Sequence, residues 1–225
     1  WPGVAYNAKL VDQAAVFAML LARDYPSKEN WAGAITVVRE VGKFPAQETL
    51  DLMRLMDRTA SYAEERDYIE YIQAADARRL PGEVLKVIQA GTASGKLRAN
   101  DTFVSEARTI ASERLNADKA SLAGLERDAR AANATSATAM GAGDAFLSYD
   151  QPGKAEELYT IALAKPGADT PRLLTRIGIA QVGNQKYAEA QANFAKVTGP
   201  RKPIADLWAL YAAQQANPAA AQPAS

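Results

Sequence analysis

The chain has 225 residues, of which 26 are basic and 26 acidic, and it contains neither His nor Cys. A hydrophobic fraction of 48% with 23% charged residues is typical of a folded globular chain and excludes wholesale disorder. The missing residue types remove imidazole bases, thiol nucleophiles, disulfides and the usual zinc ligands. A net charge of zero disfavours nucleic acid as a partner. We therefore expect a chain that is not an enzyme and has no metal, cofactor or nucleic-acid partner.

The sequence predicts an all-α fold. It contains 48 Ala, the strongest helix former, and only short runs of strand-forming residues. Gly and Pro interrupt it at short intervals, often where a helix would begin or end. No apolar run approaches the roughly 20 residues needed to span a membrane. The predicted helices are 6–23, 28–41, 46–56, 61–79, 81–92, 100–115, 117–133, 136–149, 152–164, 169–183, 186–197 and 202–215.

A 35-residue repeat is visible in the second half of the chain. Four small or aromatic landmarks recur at equal spacing in two consecutive segments: Gly143, Ala155, Tyr159 and Ala162 in the first, and Gly178, Ala190, Phe194 and Val197 in the second. Small residues let two helices approach closely, and an aromatic residue fills the gap to the next pair. The spacing therefore predicts antiparallel helix pairs that pack in the same way.

The second segment resembles a tetratricopeptide (TPR) repeat of the kind found in bacterial proteins. The TPR pattern places W, L, G, Y, A, F, A and P at positions similar to those of Leu174, Ile177, Gly178, Tyr187, Ala190, Phe194, Val197 and Pro200. Two positions depart from it, since Leu174 replaces the Trp-type residue and Pro200 lies about two places early. The segment before it resembles the pattern more weakly.

The resemblance implies a TPR-like α-solenoid, a right-handed superhelix of antiparallel helix pairs. Residues 1–135 are predicted to form degenerate repeats, and residues 136–215 two clearer repeats plus a capping helix. The last ten residues, 216–225, are rich in Ala and Pro and uncharged, so we expect a flexible tail.

A sequence similar to a phosphate-binding loop and three pairs of acidic residues are better explained as structural features than as catalytic sites. Residues 90–97 have the spacing of a phosphate-binding loop, but Leu97 stands where a Ser or Thr should reach Mg²⁺, and a helix is predicted before the loop. Adjacent glutamates on a helix diverge by about 100 degrees, so they do not converge on one substrate. The acidic pairs are Glu64/Glu65, Glu156/Glu157 and Asp101/Glu106.

The candidate binding residues lie in the basic second repeat. Residues 165–202 carry seven Lys or Arg against two Asp or Glu in a chain that is neutral overall. Arg172 and Arg176 are four apart on one helix, and they resemble half of the clamp by which some TPR domains hold the acidic C-terminus of a chaperone. The Asn that would complete the clamp aligns with Gly141. The alternative is two solvated arginines. The predicted inner lining from the first helices adds Met140, Asp144, Thr175 and Ile179.

The function that we expect is a non-enzymatic scaffold or adaptor that binds a peptide or a partner helix in the concave groove of a superhelix. The alternative is a helical accessory region of a larger enzyme whose catalytic part is absent from this chain. The sequence leaves open the partner, the oligomeric state and the localisation, and it is compatible with an exported or periplasmic bacterial protein.

Overall fold

The computed structural model describes the backbone of residues 2–217 and the side chains of residues 13–217. Within this part the chain forms eleven α-helices and one 3₁₀ turn, Gly199–Arg201, and no strand, which confirms the all-α prediction. Most of the predicted tail and Trp1 lie outside the described residues. The helices are α1 Pro2–Asp24, α2 Lys28–Gly42, α3 Ala46–Arg58, α4 Glu65–Ala75, α5 Pro81–Ala93, α6 Thr102–Arg130, α7 Ser136–Ser148, α8 Pro152–Leu163, α9 Thr170–Gly183, α10 Tyr187–Phe194 and α11 Lys202–Ala216.

Capping side chains fix several helix starts. The side chains of Ser27, Asp101, Thr135 and Asp169 each accept a hydrogen bond from a backbone N–H in the first turn of the helix that follows. Helix α4 is shorter than predicted because Glu64 and Asp67 form a reciprocal capping box at its start. It ends at Asp76, whose φ of 61° leaves the helical region.

The predicted break near residue 116 is wrong. Residues 102–130 form one continuous helix of 29 residues, α6, in place of two shorter helices. The segment Leu115-Asn116-Ala117 contains neither Gly nor Pro, and Asn lowers helix propensity only modestly. Because the segment contains no helix breaker, the helix continues through it.

The two predicted repeats form the same contact. An added Cβ on Gly143 would lie 2.6 Å from the ring of Tyr159, and one on Gly178 would lie 2.4 Å from the ring of Phe194. All eight landmark residues are buried. Each glycine therefore lets an aromatic ring of the following helix lie directly on the backbone, in α7 and α8 and again in α9 and α10.

Helices that follow one another in the chain pack against each other, and the last helix also contacts helices in the first third of the chain. Helix α11 packs against α9 and α10, and it also contacts α2 and α3. Buried side chains of α1–α6 and α9–α11 form one hydrophobic cluster, and a second cluster joins the end of α6 to α7, α8 and α9. The division at residue 135 into two sets of repeats stays a prediction.

Helix α3 lies at the centre of the first cluster. Seven consecutive residues, 50–56, are buried, so neighbouring elements enclose the helix on every side. Its aliphatic residues fill the core, and its polar residues must find partners inside the protein. That requirement produces the polar cluster described next.

Candidate interaction site

Arg176 lies at the centre of a buried polar cluster. Its side chain is fully buried on α9, and its Nη1 donates to both carboxylate oxygens of Asp144 on α7 at 2.6 Å. Its Nη2 donates to the Oε1 of Gln47 at 2.9 Å, and its Nε lies 3.4 Å from Asp51 Oδ1. Since Gln47 and Asp51 belong to α3, Arg176 joins α9 to both α7 and α3.

The carboxylate of Asp51 forms ion pairs with three arginines. Besides Arg176, its carboxylate accepts from Arg201 Nη1 at 2.6 Å and from Arg54 Nη1 at 3.4 Å. Burial alone would raise the pKa of Asp51, but Arg176, Arg201 and Arg54 outweigh it and hold the pKa below its ordinary value. Its backbone carbonyl accepts from Trp208 Nε1 on α11 at 2.9 Å. Asp51 is therefore an ionised carboxylate on which α3, α9, α11 and the 3₁₀ turn meet.

The cluster continues into α5 through Arg54. Its guanidinium forms a bidentate ion pair with Glu83, with Nε and Nη2 each 2.8 Å from a carboxylate oxygen. Tyr71 Oη donates to the same carboxylate at 2.7 Å. Burial opposes ionisation of Glu83, yet Arg54 and Tyr71 lower its pKa below the ordinary value. Glu83 thus has the hydrogen bonds that a buried carboxylate requires.

One face of α3 supplies most of the acceptors. Asp51 lies four residues after Gln47 and three after Glu48, so it is a neighbour of both on the helix surface. Arg201 Nη2 lies 3.2 Å from Glu48 Oε1, and Arg172 Nη2 donates to Gln47 Oε1 at 2.5 Å. Three arginines of this basic segment, Arg172, Arg176 and Arg201, are thus paired with acceptors on α3 of the same chain.

The six predicted binding residues divide into two groups. Asp144, Thr175, Arg176 and Ile179 are buried and present no surface to a partner in this conformation, whereas Met140 and Arg172 are partly exposed. The physical reason is that α3 covers the arginines that were expected to face a groove. That the six bind a partner stays a prediction.

Arg172 lies at the rim of the cluster. Its side chain is 18% exposed, its Nη2 lies 3.8 Å from Asp144 Oδ2, and its Nε is buried with no hydrogen-bond partner in the described structure. Burial and then the neighbouring Arg176 lower the pKa of Arg172. The rim therefore holds a guanidinium whose hydrogen-bonding capacity is incompletely used.

Arg79, an exposed residue between α4 and α5, lies close enough to the cluster for its charges to act on the guanidinium. Partial enclosure of its guanidinium lowers its pKa; of the nearby charges, Asp144 raises it while Arg176 and Arg54 lower it. The arginines of the cluster and its rim are Arg54, Arg79, Arg172, Arg176 and Arg201, and the carboxylates are Glu48, Asp51, Glu83 and Asp144. The four arginines that ion pairs join to these carboxylates balance them in charge, and Arg79 adds a further positive charge nearby.

The other motifs have structural roles. Helix α5 runs to Ala93, so a helix precedes the loop-like sequence, as predicted, and Lys96 Nζ donates to the backbone carbonyl of Tyr62. Of the acidic pairs, Glu65 is bonded to Arg98, and Glu157 to Arg130. Among the described residues no group of three or more Asp or Glu is arranged to hold a metal ion. In the same part of the chain no helix is both long and apolar enough to cross a bilayer.

Sequence reasoning missed the residues that partner the arginines. Asp51, Arg54 and Glu83 were assigned no role, although a charged pair three residues apart within Leu50-Asp-Leu-Met-Arg-Leu-Met is a usable signal. Two charges inside so apolar a run suggest that both sides of the helix are buried and that the charges have partners there.

No protein-family model matches the sequence, and neither a curated protein nor a solved structure is found to be similar to it. The resemblance to TPR repeats therefore rests on the residues and contacts of this chain.

Proposed function

We propose that the chain is a non-enzymatic scaffold of TPR-like helical repeats that binds an acidic segment of a partner protein. The repeated glycine–aromatic contact supports the repeat architecture. Gly143 packs on Tyr159 and Gly178 packs on Phe194, each 16 residues later, and the two contacts are 35 residues apart. Stacked pairs of this kind build superhelices that present extended surfaces to other proteins.

The binding site that we propose is the rim formed by Arg79 and Arg172. In a TPR superhelix the first helices line a groove, and here α3 lies against that face with Gln47, Glu48 and Asp51. A partner segment would therefore meet the arginines only where they reach solvent. The observation that carries the proposal is the guanidinium of Arg172, which is partly exposed at the edge of the buried cluster, with its Nη2 3.8 Å from the carboxylate of Asp144.

A carboxylate suits this rim better than other groups. The planar donors of a guanidinium match the two oxygens of a carboxylate, and Arg is always charged. Side chains of Asp or Glu, or a free C-terminus, supply such a group. Each partly exposed contact would contribute roughly 0.2 to 1 kcal/mol and weaken as salt screens the charges. The partner therefore needs several carboxylates or additional apolar contacts.

Affinity capture with quantitative mass spectrometry tests the proposal. The bait is the parent chain, the double variant Arg79→Ala/Arg172→Ala, or the control Arg114→Ala/Arg127→Ala, which removes two exposed arginines of α6. We expect acidic proteins that the parent and the control retain and that the first double variant loses. Equal recovery of the same proteins by all three baits would refute the rim as the site.

A further inference from the structure

Helix α1 contains a segment that is apolar on all sides. Residues 13–22, Gln-Ala-Ala-Val-Phe-Ala-Met-Leu-Leu-Ala, include no charged residue. A helix that is hydrophobic around its whole circumference is normally enclosed by other elements. This one is not, because Val16, Phe17 and Leu20 are 60%, 63% and 39% exposed.

One side of α1 is already packed. Ala22 is fully buried, Ala18 and Met19 lie against the core, and the helix packs on α2. At its end, the backbone carbonyl of Ala22 accepts from Gln214 Nε2 of α11 at 2.9 Å. The opposite side carries Val16, Phe17 and Leu20 at positions i, i+1 and i+4, which form one continuous apolar strip.

The exposed large hydrophobic residues adjoin one another on α1, whereas Tyr25 and Val41 lie apart near the two ends of α2. In the part of the chain whose side chains are described, they are Val16, Phe17, Leu20, Tyr25 and Val41, all on α1, α2 or the turn between them. Clustered exposed apolar residues mark interaction surfaces, whereas scattered ones do not.

We propose that this strip binds the same strip of a second copy of the chain, as an antiparallel pair of α1 helices about a twofold axis. A twofold contact brings residues near the axis against their own copies, so a charge there would repel itself. The ten uncharged residues of α1 meet that requirement. In this arrangement the ring of Phe17 would pack over the small, exposed side chain of Ala14 of the second copy.

A single helix pair buries less than the roughly 1,200 Å² of a standard stable interface, so the dimer should be weak. We expect dimers at about 100 µM and monomers at about 1 µM, which corresponds to a dissociation constant in the micromolar range. Sedimentation velocity over this range of concentration measures the equilibrium. A parent chain that stays monomeric at about 100 µM would overturn the proposal.

Two variants of exposed helical residues locate the contact. Phe17→Glu places a charge inside the apolar contact and should weaken dimerisation at least tenfold, whereas Ala117→Glu, which adds the same charge to an exposed position of α6, should leave it unchanged. Since Phe17 is outside the core, circular dichroism should show both variants folded. Dimerisation of Phe17→Glu equal to that of the parent would also overturn the proposal.

A cross-linking experiment tests the twofold arrangement without disturbing the strip. The chain has no cysteine, so a single Val16→Cys substitution gives one reactive site per copy. A short bismaleimide should join two copies of Val16→Cys and should not join two copies of the control Ala117→Cys. Equal cross-linking of both variants would mean random collision and would contradict the proposed interface.

Discussion

Two glycines of α7 that are two residues apart should respond oppositely to the same substitution. Gly141 and Gly143 are both inside the helix, and Ala is preferred to Gly there by about 0.5 to 1 kcal/mol. No atom lies within 4 Å of a Cβ built on Gly141, whereas a Cβ on Gly143 would lie 2.6 Å from the buried ring of Tyr159. Gly141→Ala should therefore stabilise the protein, and Gly143→Ala should not.

The helix-propensity gain is common to both variants, so it cancels in their difference. What remains is the cost of overpacking a buried aromatic ring, about 1 to 3 kcal/mol. Gly178→Ala should cost a similar amount, because its Cβ would lie 2.4 Å from the ring of Phe194. Adding Phe194→Leu to Gly178→Ala should recover part of that cost, since the smaller side chain makes room for the methyl group.

Urea unfolding followed by far-UV circular dichroism measures these differences. We expect the midpoint of Gly141→Ala to rise and those of Gly143→Ala and Gly178→Ala to fall, with similar slopes in all variants. If all three substitutions move the midpoint in the same direction, the glycines are not close-packed positions and the repeated contact is not what holds the helix pairs together.

Three further outcomes follow from the packing and from the buried cluster. Ala155→Leu and Ala190→Leu should each cost about 1 to 3 kcal/mol in urea unfolding, because both alanines are fully buried, and unchanged midpoints would argue against the repeat packing. Arg176→Met should cost about 3 to 5 kcal/mol, because it removes the 2.6 Å ion pair with Asp144 and one of the arginines around Asp51. The double variant with Asp144→Asn should recover part of that cost, and a cost of Arg176→Met below about 1 kcal/mol would contradict the ion pairing. The pKa of Asp51 is lowered in the folded state, so its contribution to stability is present above the unfolded pKa of about 4 and is lost as pH falls through the folded pKa. In acid titration, the free energy of unfolding of Asp51→Asn should therefore fall less steeply below about pH 4 than that of the parent.

Most of the helices could be predicted because local residues, such as prolines and capping side chains, mark where they begin and end. Pro152 and Pro171 lie in first turns, and Ser27 and Asp169 cap the helices that follow them. The boundary near residue 116 failed because no such residue is present there. Helix ends are thus readable from sequence where a breaker or a capping side chain marks them.

The environment of the arginines could not be predicted from local pattern. Arg176 and Asp51 are 125 residues apart in sequence, and α3 was assigned no special place among the helices. A charged residue on a repeat helix is equally compatible with a groove and with a buried ion pair until the covering element is known. The packing of α3 against residues of α9 and α11 is a property of the whole fold.

The most direct test of the proposed function is a binding titration with a defined acidic probe. Fluorescence polarisation of a labelled hexaglutamate peptide with a free C-terminus should show saturable binding to the parent chain that weakens as salt is raised. The double variant Arg79→Ala/Arg172→Ala should bind at least several-fold more weakly, while Arg114→Ala/Arg127→Ala should bind like the parent. Equal affinity of all three proteins for the peptide at low salt, or no binding by the parent, would contradict recognition of acidic segments at the rim of Arg79 and Arg172.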